Sequence, residues 1–284
     1  TIAHEVMDPG TDKARGRENA KQLIEGENAI MVTGGSSSSV AINVQAECQA
    51  QNVIFMACLT HSNATTGADC ARYGFREMFN AYHTAEALAP VLQEEYGSDN
   101  TFYQLYADYT WGESVQASMR RTLTETAGWT EADSVATPLG EDDYSSFLSE
   151  AANSGADVLL LDHYGLDGAT SVQQAVDAGL NEEMEIVLPL YNRPMASAAG
   201  DAISGVFGTV AWDSAIDNTP SNEFTQTFES EYDRTPSGVA QLAYAQTLNY
   251  AAAVERAGSF NPIDVIGELE DYDYNNIGMG EETM

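Results

Sequence analysis

Residues able to do chemistry are sparse in this sequence. The densest group is the run Gly34-Gly35-Ser36-Ser37-Ser38-Ser39, which follows an apolar stretch from Ile30 to Thr33 and precedes a helical pattern at Val40 and Val44. A strand, a Gly-Ser loop and a helix in that order set hydroxyls beside a helix N-terminus, whose free N–H groups and positive dipole potential attract an anion. In a parallel sheet the carboxyl ends of the strands form the edge where ligands bind. The next apolar stretch, Val53 to Met56, runs into Ala57-Cys58-Leu59-Thr60-His61-Ser62, so Thr60 and His61 fall at the neighbouring strand end. Hydroxyls on two adjacent strand ends can share one carboxylate. A plainer role fits the same residues, with Ser39 as the helix N-cap and His61 as a loop histidine. The loop lacks the Lys of a Walker A motif.

Catalytic chemistry has little else to stand on. There is no Gly-x-Ser-x-Gly elbow and no Gly-x-Gly-x-x-Gly loop, and His4, His61, His83 and His163 form no triad or metal set by spacing. His163 beside Asp162 at a strand end is the best acid–base pair on offer. Cys48, Cys58 and Cys70 include no Cys-x-x-Cys and have no His at ligand spacing, which argues against structural zinc. They allow one disulfide plus one buried thiol, with Cys70 paired, or a pairing of Cys70 with a cysteine outside this chain. No metal or cofactor is called for.

The elements that must position these groups come from a chain of 284 residues, 43% of them hydrophobic, which is enough for two α/β lobes. Acidic residues number 44 against 11 basic, for a formal charge of −33, and Lys13 and Lys21 are the only lysines. With 14 Tyr, 9 Phe and 3 Trp the chain is too aromatic to be a disordered acidic polymer, so the acid belongs on a folded surface. Such a field repels nucleic acid and anionic lipid, and the Lys-poor carboxylate surface resembles proteins of salt-loving organisms. No apolar run approaches the roughly 20 residues of a membrane span, and no signal-peptide pattern opens the chain.

Strands are expected at Ile30–Thr33, Val53–Met56, Thr101–Tyr106, Val158–Asp162, Ile186–Leu190 and Val206–Ala211. Between them helical faces recur: Val40, Val44 and Cys48; Ala85, Leu88, Ala89 and Leu92; Val115, Met119 and Leu123; Phe224, Phe228 and Tyr232. Alternation of this kind predicts parallel sheets flanked by helices. Asp142 or Asp143 is expected to cap the helix through Phe147, Ser221 the helix through Phe224, and Gly179 to close the helix beginning near Ala169. A domain boundary is expected near Arg76 to Asn80.

Along the whole chain, Gln22-Leu23-Ile24, the strand at Ile30, Gly34 with its serines, Phe75-Arg76, Trp111-Gly112-Glu113, Tyr144 to Phe147, Gly155-Ala156-Asp157-Val158, Gln174-Ala175 with Gly179-Leu180, Gly205-Val206 and Ala243-Tyr244-Ala245 arrive in a telling order and spacing. That series resembles the leucine/isoleucine/valine-binding and amide-binding proteins, which are type I periplasmic binding proteins. The resemblance implies two Rossmann-like lobes joined by three crossovers, with a small solute held between the strand ends of both. It implies a first lobe of residues 1–78 plus 213–272 and a second of 79–212 plus 273–284. Ser38, with Ser39 nearby, and Thr60 or His61 would hold a ligand carboxylate on the first lobe. Trp111 stands where an aromatic residue closes over the ligand from the second, and Tyr164 at another aromatic wall position.

One departure bears on the ligand. Where amino-acid binders set an acidic residue against the α-ammonium, this sequence has Tyr191, and a buried ammonium without a carboxylate partner costs several kcal/mol. Asp108, Asp162 or Asp213 are the alternative sources of that charge. A wall of Trp111, Tyr164 and Tyr191 suits a flat or apolar solute. Against the family, Thr1 to Val6 reads as a second strand, its preceding strand and helix being absent, and the tail from Asn275 stops short of a final strand. The resemblance further implies an extracellular, monomeric receptor of an ABC importer, partnered by permease subunits, held at the outer membrane face through a segment not in this chain, and doing no catalysis. A ligand-sensing ectodomain of a signalling receptor is the alternative, and a hydrolase a more distant one.

Overall fold

The computed structural model describes residues 2–270, 272–274 and 282–283. The chain divides into two compact units, unit 1 of Thr1–Met78 with Ala211–Met284 and unit 2 of Phe79–Val210.

Unit 1 begins with an extended segment that joins no sheet, so the strand expected at Thr1 to Val6 is not formed in the described part. Ile2 and Val6 are exposed there, and no neighbouring strand supplies backbone partners. Helix α1 (Lys13–Glu25) starts where the Asp12 carboxylate accepts from the Arg15 N–H. Then follow β1 (Met31–Gly34), α2 (Ser38–Gln51), β2 (Ile54–Ala57) and the short β3 (Gly74–Arg76), paired in parallel in the order β1-β2-β3. β2 is buried on both faces, as a central parallel strand should be. Phe55 and Ala57 pack under α2 with Val32, Ala41 and Cys48. Ile54 and Met56 turn the other way, onto Tyr250, Ala253, Val265 and Leu269.

Unit 2 runs α3 (Ala81–Tyr96), β4 (Thr101–Ala107), α4 (Thr110–Thr122), β5 (Thr130–Thr137), α5 (Ser145–Asn153), β6 (Val158–Asp162), α6 (Leu166–Asp177), β7 (Glu185–Leu190), α7 (Arg193–Ala199) and β8 (Phe207–Thr209). Its sheet is parallel throughout, ordered β5-β4-β6-β7-β8. Tyr103, Leu105, Leu159, Leu161, Ile186 and Leu188 form one core with Tyr144 and with Leu148, Val172 and Ala175 of α5 and α6. The alternate residues Val158, Leu160 and Asp162 face the opposite side of the sheet. The chain then returns to unit 1 as α8 (Thr219–Tyr232), α9 (Gly238–Ala257) and α10 (Pro262–Leu269), followed by a short antiparallel pairing of β9 (Asp273–Tyr274) with β10 (Glu282–Thr283). The expected third crossover near residue 272 lies in a stretch that is described only in part. Among the described residues, no helix is long and apolar enough to cross a membrane.

Several local expectations need correction. α8 is capped by Asn218, which accepts from the Ser221 N–H, with a proline in the first turn. Ser221 is instead buried and accepts from the Trp212 indole N–H. At α5 the cap position is Tyr144, although the Asp143 carboxylate still accepts from the Ser145 N–H. Gly179 does take the left-handed conformation just past α6, which starts earlier than Ala169. All three cysteines are free thiols, Cys48 and Cys58 buried and Cys70 exposed, so the internal disulfide is not formed. Burial pushes the Cys48 and Cys58 thiols up to about 12, which keeps them protonated and inert.

Candidate ligand-binding edges

In unit 1 the last residues of the strands stand in one row, Gly34 opposite Ala57 and Ala57 opposite Arg76. The turn out of β1 is tight. Gly35 has φ +92°, and a Cβ there would lie 2.9 Å from the Ala41 Cβ. α2 therefore starts close against its own sheet, with Ser37 in the cap position and making no side-chain cap bond. Ser38, not Ser39, is the first helical residue, and the expected Ser39 cap is not formed. The Ser39 carbonyl accepts from the Asn43 side chain, and its hydroxyl takes no part in a cap.

Ser38 and the Thr60–Ser62 loop do come together. The buried Ser38 Oγ accepts from the His61 N–H at 3.3 Å and from the Ser62 N–H at 3.1 Å. Two N–H groups thus occupy its lone pairs and leave the hydroxyl hydrogen as the group it can still donate. Thr60 is fully buried and its hydroxyl is paired with that of Thr65 at 2.9 Å, so it braces the loop. Because Ser38 carries two buried N–H groups, its removal also strains the fold. Arg76 supports the same loop and was not singled out from sequence as part of the site. Its guanidinium donates to the Ser62 carbonyl and to the Thr66 hydroxyl, both at 2.6 Å.

In unit 2 the ring of Trp111 is buried at the start of α4. Gly112 beside it sits so close to the strand end that a Cβ would lie 2.0 Å from the Ala107 carbonyl oxygen. Trp111 meets Tyr164 edge-on, with ring centroids 6.0 Å apart, and Tyr109 at 5.9 Å. Such offset and edge contacts suit the ring quadrupoles. The Tyr164 phenol accepts from the Asn192 side-chain amide, while Asn192 caps α7 by accepting from the Met195 N–H. Tyr191 packs against the same core as Tyr164, its ring over Gly208 of β8 and its N–H donating to the Thr209 carbonyl. Tyr109 and Asn192 belong to the same edge and were not singled out from sequence.

The carboxylates of this edge are poor partners for an ammonium. Asp162 is wholly buried, neither oxygen has a hydrogen-bond partner, and burial, aided by the Glu131 carboxylate, pushes its pKa well above the usual range. Asp167 is half-buried and also raised, chiefly by burial, and Asp108 is exposed. Asp213 belongs to unit 1, where it accepts from the Ala215 N–H. The acid–base pair suggested by Asp162 and His163 does not form, because successive strand residues point to opposite faces. His163 lies between the Thr137 and Ser171 hydroxyls, each at 2.9 Å, and burial lowers its pKa to about 3. It is a neutral structural imidazole. Among the described residues, no group of His, Cys, Asp or Glu is placed to hold a metal ion.

A family model described as Periplasmic binding protein matches residues 1–284. The Leu/Ile/Val-binding protein homolog 2 of Brucella abortus is 23% identical over 273 residues, which are 93% of this chain and 70% of that protein. A periplasmic binding protein from Burkholderia mallei superposes with a TM-score of 0.90 at 20% identity, over 96% of this chain and 72% of that one. An ABC transporter solute-binding protein from R. palustris, solved with benzoate, superposes at 0.89 with 18% identity, over 98% of this chain and 76% of that one. These matches and the two parallel-sheet units agree: the chain belongs to the periplasmic binding protein family, of type I, a family of solute-binding proteins rather than enzymes.

Proposed function

We propose that this protein is the extracellular receptor of an ABC importer and captures a small apolar or aromatic monocarboxylate. One observation carries the reading. The strand ends of unit 1 gather the buried Ser38 hydroxyl, whose hydrogen is not spent on the His61 and Ser62 N–H groups, and the uncapped N-terminus of α2, which suit a carboxylate, whereas those of unit 2 present rings and no ionised buried acid. The relatives leave two solute classes in view, branched-chain amino acids in the Brucella name and benzoate in the R. palustris complex. Tyr191 and the neutral state of Asp162 favour the acid without an ammonium.

In this proposal Ser38, with Thr60 and His61 holding the loop, engages the carboxylate, and Trp111, Tyr164 and Tyr191 receive the apolar body. Ser39 contributes through its backbone N–H alone. The two lobes close on the solute by a hinge, so the solute binds the closed state more tightly than the open one, and the closed form is what the permease reads. A third crossover that carries residues 273–284 into the second lobe, a monomeric state and a tether to the outer membrane face belong to the same proposal. Mass spectrometry of solute released from the denatured purified protein tests it, with calorimetry against benzoate and leucine. Benzoate-like acids are expected to bind at least tenfold more tightly than leucine. A reversed order overturns the solute assignment, and turnover of a released ester or amide overturns the receptor reading.

A further inference from the structure

Arg76 closes β3, in the same row as Gly34 and Ala57. Two features set it apart. Acidic residues outnumber basic ones by 44 to 11, yet this half-buried guanidinium has no carboxylate partner among the described residues, while Arg17, Arg72, Arg121 and Arg256 each have one. Its two terminal nitrogens are spent on the Ser62 carbonyl and the Thr66 hydroxyl, neutral groups of the loop whose backbone N–H groups hold Ser38. A guanidinium desolvated without a counter-ion is poorly placed for stability alone. It is well placed to make the edge electropositive for an incoming anion.

We infer that Arg76 is a positioning residue for anion recognition: it pins the Ser62 peptide so that the Ser38 hydroxyl hydrogen is left to donate, and its unneutralised charge makes unit 1 prefer a carboxylate to its neutral counterpart. The Ser62 carbonyl accepts from Arg76 while the N–H of the same residue donates to Ser38, so the fork fixes Ser62 from one side and thereby fixes the N–H that holds the Ser38 oxygen on the other. Burial lowers the Arg76 pKa only to about 10, so the charge persists at neutral pH. Lysine keeps the charge but not the planar fork that reaches both loop acceptors.

The inference rests on unit 1 being the carboxylate end, and the test separates the two claims. Wild type, Arg76→Gln and Arg76→Lys are titrated by calorimetry with benzoate, 4-hydroxybenzoate, isovalerate and leucine, and with benzamide and isovaleramide as neutral counterparts. Wild type is expected to prefer its best acid to the matching amide by at least tenfold. Arg76→Gln should lose about 30- to 100-fold for the acid and less than about threefold for the amide, collapsing the preference, and Arg76→Lys should keep part of it. Equal losses for acid and amide, or a preference unchanged in Arg76→Gln, overturn the role of Arg76 and leave the solute proposal standing. A wild type that shows no acid preference, or binds no acid in the panel, overturns the carboxylate reading and this inference with it. If Arg76→Gln does not fold, Arg76→Lys decides, since a preference equal to wild type together with a native melting temperature also counts against the fork.

Discussion

The two strand edges solve opposite problems with opposite materials. In unit 1, small side chains and backbone N–H groups are tied into short polar links, Arg76 to Ser62 to Ser38 and Thr60 to Thr65, and among the described residues no carboxylate joins Arg76. In unit 2, rings line the edge, and the titratable groups of β6 and the residue after it are stored beneath them in neutral form, Asp162 on one face of the sheet and His163 on the other. On the proposed function, the contrast assigns charge to one edge and shape to the other. It also says where each unit is vulnerable, unit 1 to loss of single hydroxyls and unit 2 to pH.

The largest effect should come from His163. Its folded pKa of about 3 lies below the ordinary 6.5, so between those values the unfolded chain binds a proton that the native state refuses. Stability is therefore full above pH 6.5 and falls as the pH drops, by about 1.4 kcal/mol per pH unit and about 4 to 5 kcal/mol in all. Urea unfolding of wild type and His163→Gln from pH 7 to pH 4 checks this. Parallel curves would break the claim that the imidazole is stored neutral. Asp162 carries the opposite sign. Its raised pKa means that above about 3.8 the unfolded chain is ionised while the native group keeps its proton, so the contribution is full at low pH and fades as the pH climbs. Asp162→Asn should gain on wild type with rising pH, by about 1.4 kcal/mol per unit until the native carboxyl itself ionises. A constant difference between the two proteins would sink that assignment.

Next in size is Ser38→Ala. Affinity for the acid should fall about tenfold to a hundredfold, because a hydrogen bond to a charged group is worth about 1.5 to 3 kcal/mol. Stability should fall as well, by about 1 to 3 kcal/mol, since the His61 and Ser62 N–H groups lose their acceptor. Calorimetry and denaturant titration read the two effects separately, and a variant with native affinity would reduce Ser38 to a loop brace. Tyr164→Phe should do less, about 1 kcal/mol, through loss of the acceptor for Asn192, and should weaken acid and amide alike. Unequal weakening would blur the division of labour between the edges. The smallest effect per site is spread over the surface. At a formal charge of −33, screening should raise the melting temperature between about 0.1 and 1 M KCl, and a flat or falling trend would count against the adaptation to salt inferred from composition.

Buried strands were legible in the sequence and marginal ones were not. β4, β6 and β7 are long apolar runs because helices cover both faces, and each lies within a residue or so of its expected bounds. β5, Thr-Glu-Ala-Asp-Ser-Val-Ala-Thr, escaped notice because it is an edge strand with a largely polar, part-exposed surface, and β3 because three residues carry no periodicity. The α8 cap was readable in Asn218-Thr219-Pro220, where Asn precedes a first-turn proline, and Ser221 drew attention away from it. At the site, strand–loop–helix order sufficed to bring Ser38 to Thr60 and His61. It could not say that the Ser38 oxygen is filled by backbone N–H groups, nor that an arginine read as part of a domain boundary would brace that loop.

The contact between Gly112 and the Ala107 carbonyl reaches beyond packing. With room for a hydrogen and nothing larger, the residue beside Trp111 admits no substitution, so the backbone that carries that ring cannot be re-aimed from next door. Tyr164 and Tyr191 sit in loops whose own positions carry no such veto. If Trp111, Tyr164 and Tyr191 wall the solute as proposed, a library randomised at Tyr164 and Tyr191 should hold many folded members where one randomised at Gly112 holds almost none.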